Sequence, residues 1–424
     1  MESIEKIADL AQIELDKENA QNITVQTMLA ITEDFIKEKR VMCYGGTAVN
    51  NLLSVEQRFY DPMRDIPDYD FFSETPQIHA MELADRLAKA GYTMVEVKPG
   101  MHLGTFKVFS DFLGVADISF LDKSIFERLW DEAVERGGIH YVPPNFLRMS
   151  VYLELSRPRG DVSRWKKVYS RIQKLNDEYP IVCPAKLEKV SEEVVTPEMR
   201  KDMEHLLVRE KAVLLGFNAS TLQQKKGSGA WKLPLDVLTT PDKRKELAKA
   251  FQALLGQGAL KDHDAFGELL PPHTDIEKEG LTLVRVYETN ACHSYHELPN
   301  GLRVASIPTL LQFFLAMMYG DTHIREHMPE QRFLCTAQHL IDQANDNLPR
   351  RYEVLTPIEC IGKQESIVDM KAHRSITYED LLKKGKTSPE FLKYFFTYDP
   401  KKVSPSDKAK LRKTLRKKTG GRSH

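Results

Sequence analysis

Apolar residues at Ile31, Phe35 and Ile36 recur at helical spacing and lead into Arg40-Val41-Met42-Cys43-Tyr44, a short, mostly apolar run. The pattern predicts a helix followed by a buried strand. Gly45-Gly46 closes that strand with a turn, where the missing Cβ lets backbone amides approach a ligand. Ala48, Val49, Leu52 and Leu53 then mark the apolar side of a second helix. Farther on, Gly104-Thr105-Phe106-Lys107-Val108-Phe109 and Val115-Ala116-Asp117-Ile118-Ser119-Phe120 read as neighbouring strands joined through Asp111-Phe112-Leu113-Gly114. The opening pattern also has an echo. The helix, apolar run and glycine from Phe35 to Gly46 resemble those from Leu207 to Phe217, and the stretch Gly138 to Leu147 resembles Gly301 to Leu310. A fold used twice is therefore expected. The second copy has Gly216-Phe217 where the first has two glycines, and no Asp-x-Asp follows it on a convincing strand, so it is expected to have lost its chemistry.

The first copy carries that chemistry in three places. The start of the helix at Gly45, Gly46 and Thr47 is a ready anion site, with Thr47 available as a cap or a phosphate contact. It is neither a Walker loop nor a dinucleotide fingerprint, because no Gly-Lys-Ser/Thr and no third glycine follow. Pro67-Asp68-Tyr69-Asp70-Phe71-Phe72 then places two carboxylates on one side of a strand. Such a pair resists joint ionisation unless a cation sits between its members, and magnesium suits carboxylates combined with phosphates. Asp117 adds a charge inside an apolar strand, where it needs a partner. Three carboxylates sharing two metal ions would clamp the oxygens of an in-line displacement, and Asp117 could accept the proton of an attacking hydroxyl. Downstream, Arg157, Arg159, Arg164, Lys166, Lys167 and Arg171 give a dense cationic stretch around a helix whose apolar side includes Trp165, Val168 and Ile172. Arg157, Arg164 and Lys167 are candidates for binding phosphate oxygens.

Taken together, the glycine turn, Asp68, Asp70 and Asp117 resemble the polymerase-β-type nucleotidyltransferase superfamily. Within it, Tyr44-Gly45-Gly46-Thr47-Ala48, Pro67 to Phe72, and the run from Leu155-Ser156-Arg157-Pro158 to Lys167-Val168-Tyr169 resemble the poly(A) polymerase catalytic subunit of large cytoplasmic DNA viruses. The resemblance implies template-independent addition of AMP from ATP to mRNA 3′ ends, with Mg2+ or Mn2+ held by Asp68, Asp70 and Asp117. The implied fold class is α/β (α+β): a nucleotidyltransferase fold with a mixed sheet, followed by a degenerate nucleotidyltransferase-like domain. Implied partners are the RNA 3′ end and ATP, with room for a homodimer or a viral processivity partner. The implied location is the host cytoplasm, in viral factories, and the virion. Alternatives are another nucleotidyltransferase, adding CCA or modifying a small molecule or protein, and a non-catalytic RNA-binding processivity subunit.

Length and charge refine this. A chain of 424 residues, 42% of them apolar, can bury more than one core. The expected division is 1–185 catalytic, 186–345 degenerate copy, 346–400 extension and 401–424 a basic, disordered tail. In the second copy, Phe313, Phe314, Leu315, Met317 and Met318 are expected in a buried helix. The net charge of −1 conceals a polarity, because residues 401–424 hold ten Lys/Arg against one acid. Such arms bind polyanions without sequence choice. No run approaches a membrane span, and the N-terminus lacks the apolar core of a signal peptide. Five scattered cysteines form no paired framework, which is the expectation for a reducing compartment.

Overall fold

Met42 and Cys43 are completely buried, and they form the strand β1 (Met42–Cys43) that precedes the glycine turn. The computed structural model describes residues 2–187, 193–224, 229–320, 322–325, 328–345 and 350–416. The chain divides into two units, Met1–Pro143 with Ile367–His424, and Pro144–Ser366.

In the first unit, β1 is joined by β2 (Asp70–Ser73), β3 (Val95–Pro99), β4 (Thr105–Ser110), β5 (Leu113–Phe120), β6 (Val134–Arg136) and β7 (Ile139–Tyr141). Their order across the sheet is β3-β4-β5-β2-β1-β7-β6. The β5–β2 and β1–β7 pairs are parallel and the others antiparallel. Period-two alternation sorts the faces. Phe71, Phe106, Val108 and Ile118 are buried beneath the helices Ile23–Glu38 and Pro76–Lys89, while Asp70, Lys107 and Asp117 fall on the opposite face.

The second unit contains β8 (Val213–Leu215), β9 (Leu235–Thr239), β10 (Ala259–His263), β11 (His273–Lys278), β12 (Leu281–Glu288), β13 (His293–Glu297), β14 (Arg303–Ala305) and β15 (Cys360–Ile361). Their order, β10-β11-β12-β9-β8-β14-β13-β15, repeats the first sheet strand for strand and adds one at the edge. The parallel pairs also fall in the same places, β12–β9 and β14–β8. The sequence echo is therefore a fold duplication. The helix Ile307–Tyr319 is buried at every position, as its apolar run predicts.

Three expectations need correction. The division falls at Pro143 rather than at 185, and the chain returns to the first unit at Ile367. Packing explains both. The helix Pro144–Leu155 sets Phe146 against Tyr319 of the second unit's central helix, with ring centroids 5.6 Å apart. In the returning segment, Tyr398 pairs with Val97 of β3 and Phe396 meets Phe106 edge-on at 5.7 Å. Secondly, four of the five cysteines pair, Cys183 with Cys335 and Cys292 with Cys360. Their separations of 152 and 68 residues hide this from a linear reading, and for the second pair the β13–β15 register supplies the contact. The inference of a reducing compartment loses its basis. Thirdly, the basic tail forms a helix, Pro405–Arg416. Ser404 Oγ accepts from the Asp407 amide at its start, and Lys408 and Arg412 reach Asp85 at 2.7 and 3.7 Å. The last eight tail residues lie outside the described part. Among the described residues, no helix is long and apolar enough to cross a membrane.

Candidate active site

The carboxylates are positioned by strand register. Asp70 and Asp117 are direct partners on the parallel strands β2 and β5, so their side chains leave the sheet side by side. Asp68 lies in the exposed extended segment just before β2. Its carbonyl accepts a hydrogen bond from Thr47 Oγ1 at 2.8 Å, so Thr47 ties the carboxylate segment to the turn instead of capping its own helix. The Tyr44 amide donates to the Asp70 carbonyl at 2.9 Å, which fixes the turn against β2.

Gly45 is required here. It adopts φ +74°, and a Cβ at this position would come within 2.6 Å of Asp70 Oδ2. The helix Gly45–Leu52 thus starts directly against a carboxylate. Its N-cap, Tyr44, contributes no side-chain hydrogen bond to the first-turn amides. Tyr44 instead stacks on Phe72 at 4.0 Å between centroids, and its hydroxyl shares a hydrogen bond of 2.8 Å with Ser119. Thr105 continues that chain to Ser119 Oγ at 2.8 Å. Burial, and then the charges of Asp70, Asp117 and Asp68, push the Tyr44 phenol well above its ordinary range, so it stays protonated. Each of the three carboxylates is thus near enough to Tyr44 to raise its phenol.

Lys107 shares the site. It faces Asp117 across the β4–β5 hairpin, and its ammonium pairs with Asp117 Oδ2. Neither it, Tyr44 nor Ser119 was assigned a role from sequence. Counting back from the turn at Asp111 would have placed Lys107 opposite Ala116; an irregularity at Val108 and Phe109 shifts the register by one and sets it opposite Asp117. The donor set of carboxylate oxygens, with a glycine turn pressed against one of them, fits a hard divalent cation bound together with phosphates.

The second unit repeats this layout with different side chains. Gly216, at φ +69°, is pressed against Asp236, which stands on β9 where Asp70 stands on β2. Pro234 occupies the place of Asp68. Arg285, the parallel-strand partner of Asp236, occupies that of Asp117, and Asp275 faces Arg285 where Lys107 faces Asp117. The polarity of the cross-strand pair is reversed. Arg285 grips Asp275 with two hydrogen bonds of 3.0 Å and lies 3.8 Å from Asp236. Phe217, Pro234, Asp236, Arg285 and His323 help line a cavity of about 210 Å³. This unit also brings His263, His273, Asp275 and His323 together, a cluster suited to a metal ion that sequence reading missed.

The predicted cationic residues belong to the second unit. Arg157 follows the helix Pro144–Leu155, and its Nε is buried without a hydrogen-bond partner. Arg164 pairs with Glu154 at 3.4 Å, and Lys167 is exposed on the helix Trp165–Glu178.

The same fold thus occurs twice in the chain, with Asp68, Asp70 and Asp117 near the glycine turn of the first unit and Pro234, Asp236 and Arg285 at the matching places of the second. Residues 30–161 match the family model described as poly(A) polymerase catalytic subunit. Among relatives, an African swine fever virus protein named "Putative poly(A) polymerase catalytic subunit" is 30% identical over 182 residues, 41% of this chain and 38% of that one. A protein of the same name from Acanthamoeba polyphaga mimivirus is 27% identical over 197 residues, 46% of this chain and 32% of that one. The matched part thus spans well under half the length of these relatives. The solved Megavirus polyadenylate synthase shares the fold, with a TM-score of 0.80 at 20% identity, covering 98% of this chain and 88% of that one. Residues 30–161 are therefore similar to poly(A) polymerase catalytic subunits, and the likeness to the solved structure extends the shared fold over nearly the whole chain.

Proposed function

We propose that the chain is a template-independent RNA adenylyltransferase that adds AMP from ATP to RNA 3′ ends in the host cytoplasm. The observation that carries this reading is the register of Asp70 with Asp117 beside the Gly45 turn, with Asp68 two residues upstream. Asp68, Asp70 and Asp117 would hold Mg2+ or Mn2+. Bound there, the ions would supply charge neutralisation for an in-line displacement at phosphorus. The first-turn amides after Gly45 and Gly46 bind the triphosphate, aided by the positive end of the helix. Asp117 takes the proton of the attacking 3′-hydroxyl at Oδ1, the oxygen that Lys107 leaves open. Tyr44, held protonated, stacks on Phe72 and keeps the floor of the site rigid. Exposed Arg164 and Lys167 are assigned to phosphate contacts in the second unit.

The test is extension of a short RNA with each of the four ribonucleotides, with magnesium present or chelated. ATP alone is expected to support long products. Asp70→Asn is expected to lower extension by about 100-fold or more, since even residues behind metal ligands contribute 10–100-fold. RNA affinity and melting temperature should stay close to wild type. Retained extension in Asp70→Asn would overturn the assignment.

A further inference from the structure

The second unit gathers metal-ligating side chains on the same sheet face as its inert Asp236–Arg285 pair. His263 and His273 are register partners on β10 and β11, and Asp275, two residues beyond His273, shares their face. His323 joins them from the short helix Thr322–Arg325. One ligand atom from each of the four lies within 4.8 Å of the others. His273 Nε2 is 3.0 Å from His323 Nε2 and 4.0 Å from Asp275 Oδ1, and His263 Nε2 is 3.9 Å from Asp275 Oδ2. Tetrahedral zinc, with bonds of about 2.0–2.1 Å, sets its ligand atoms roughly 3.3 Å apart. The separations here, from 3.0 Å to within 4.8 Å, bracket that spacing.

Hydrogen bonding also favours ligation. The His273 Nδ1–H donates to the Pro271 carbonyl at 3.3 Å. With its Nδ1 so engaged, the His273 ring directs Nε2 toward the cluster, 3.0 Å from His323 Nε2. A backbone carbonyl behind the far nitrogen is the usual support of a metal-bound imidazole. His263 Nε2 is buried with no hydrogen-bond partner among the described residues. Its ring lies flat against His323, with centroids 3.9 Å apart and planes 3° apart. Asp275 Oδ2 already accepts from Arg285 and from Thr282, whereas Oδ1 accepts from Arg285 alone and retains a lone pair.

We infer that His263, His273, His323 and Asp275 form a binding site for a divalent transition metal, zinc foremost, distinct from the carboxylate site of the first unit. Three imidazoles and one carboxylate suit zinc, cobalt, nickel or copper; magnesium prefers an all-oxygen shell. Four protein ligands close the coordination sphere, which assigns the ion a structural part. It would pin the helix Thr322–Arg325 to the β10–β11 hairpin. The inference does not depend on RNA adenylation.

The experiment uses full-length protein without a histidine tag, purified without chelators and dialysed against millimolar Mg2+ to mask the carboxylate site. Elemental analysis is expected to find about one zinc per chain. Cobalt substitution should give the intense visible bands of a tetrahedral centre. His263→Gln combined with His323→Gln should lower zinc content and cobalt absorbance at least tenfold, whereas Asp70→Asn should keep both while losing RNA extension. Chelation should lower the melting temperature of the wild type and leave that of the double variant unchanged. Should the double variant not fold, the wild-type measurements decide alone. Wild-type protein that holds no zinc and takes up neither Zn2+ nor Co2+ at micromolar concentration would overturn the inference. So would uptake that the two histidine changes leave intact.

Discussion

Lys107 sets the electrostatics of Asp117 when no divalent ion is bound. Its ammonium pairs with Oδ2 across the hairpin, so it neutralises a carboxylate that would otherwise sit half-buried near Asp70. A fixed positive charge at that point opposes the binding of a cation. Lys107→Met is therefore expected to tighten Mn2+ binding by roughly 3–10-fold, corresponding to about 1 kcal/mol for a partly exposed pair. Electron paramagnetic resonance of free Mn2+ would measure this without turnover. Unchanged or weaker binding would show that Lys107 supports the metal rather than competing with it. Asp117 itself was legible in the sequence because an acid inside an apolar strand is conspicuous. Lys107 was not, because a lysine at the solvent-facing position of a hairpin looks ordinary until register places it.

Secondary-structure elements show where linear reading succeeds and where it stops. The strand, glycine turn and helix around Gly45 follow from periodicity within one window, and so do the β4–β5 hairpin and the wholly apolar helix Ile307–Tyr319. The cysteine pairs, the histidine cluster and the ordered basic helix depend on contacts across 50 to 323 residues, which no local pattern carries. The helix Pro405–Arg416 illustrates this. Its charge predicts disorder, but Asp85 receives Lys408 and Arg412 as well as the Tyr398 hydroxyl at 2.5 Å. Asp85→Ala is expected to speed amide hydrogen exchange across 405–416 by several-fold, with a stability change of about 1 kcal/mol or less. Unaltered exchange would mean that helix 405–416 is held by its apolar contacts alone.

Across the whole molecule, one fold appears twice with its site polarity reversed. Asp236 matches Asp70 in position, yet burial raises its pKa to about 6 and Arg285 only partly offsets this. The sign follows from linkage. Between the ordinary aspartate range and about 6, folded Asp236 binds its proton more tightly than the unfolded chain does. Its contribution to stability is therefore present at low pH and lost as pH rises through about 6. Asp236→Asn should remove that slope, making the variant relatively more stable at pH 8 than at pH 5 when both are compared with wild type by denaturant unfolding. RNA extension should persist in Asp236→Asn, in contrast to Asp70→Asn. An equal loss in both variants would contradict the assignment of catalysis to the first unit alone.

The return of the chain to the first unit has a consequence for its synthesis. The edge strand β3 finds its partner in Tyr398, and Phe106 finds its ring neighbour in Phe396, about 300 residues after β3 leaves the ribosome. At roughly 5–20 residues per second, that edge and its apolar flank wait on the order of 15–60 s for cover. During this interval the nascent first unit presents an open strand edge of the kind that pairs with other chains. Its native partner is encoded after the whole of the second unit, so the first unit is completed only once the second has been made.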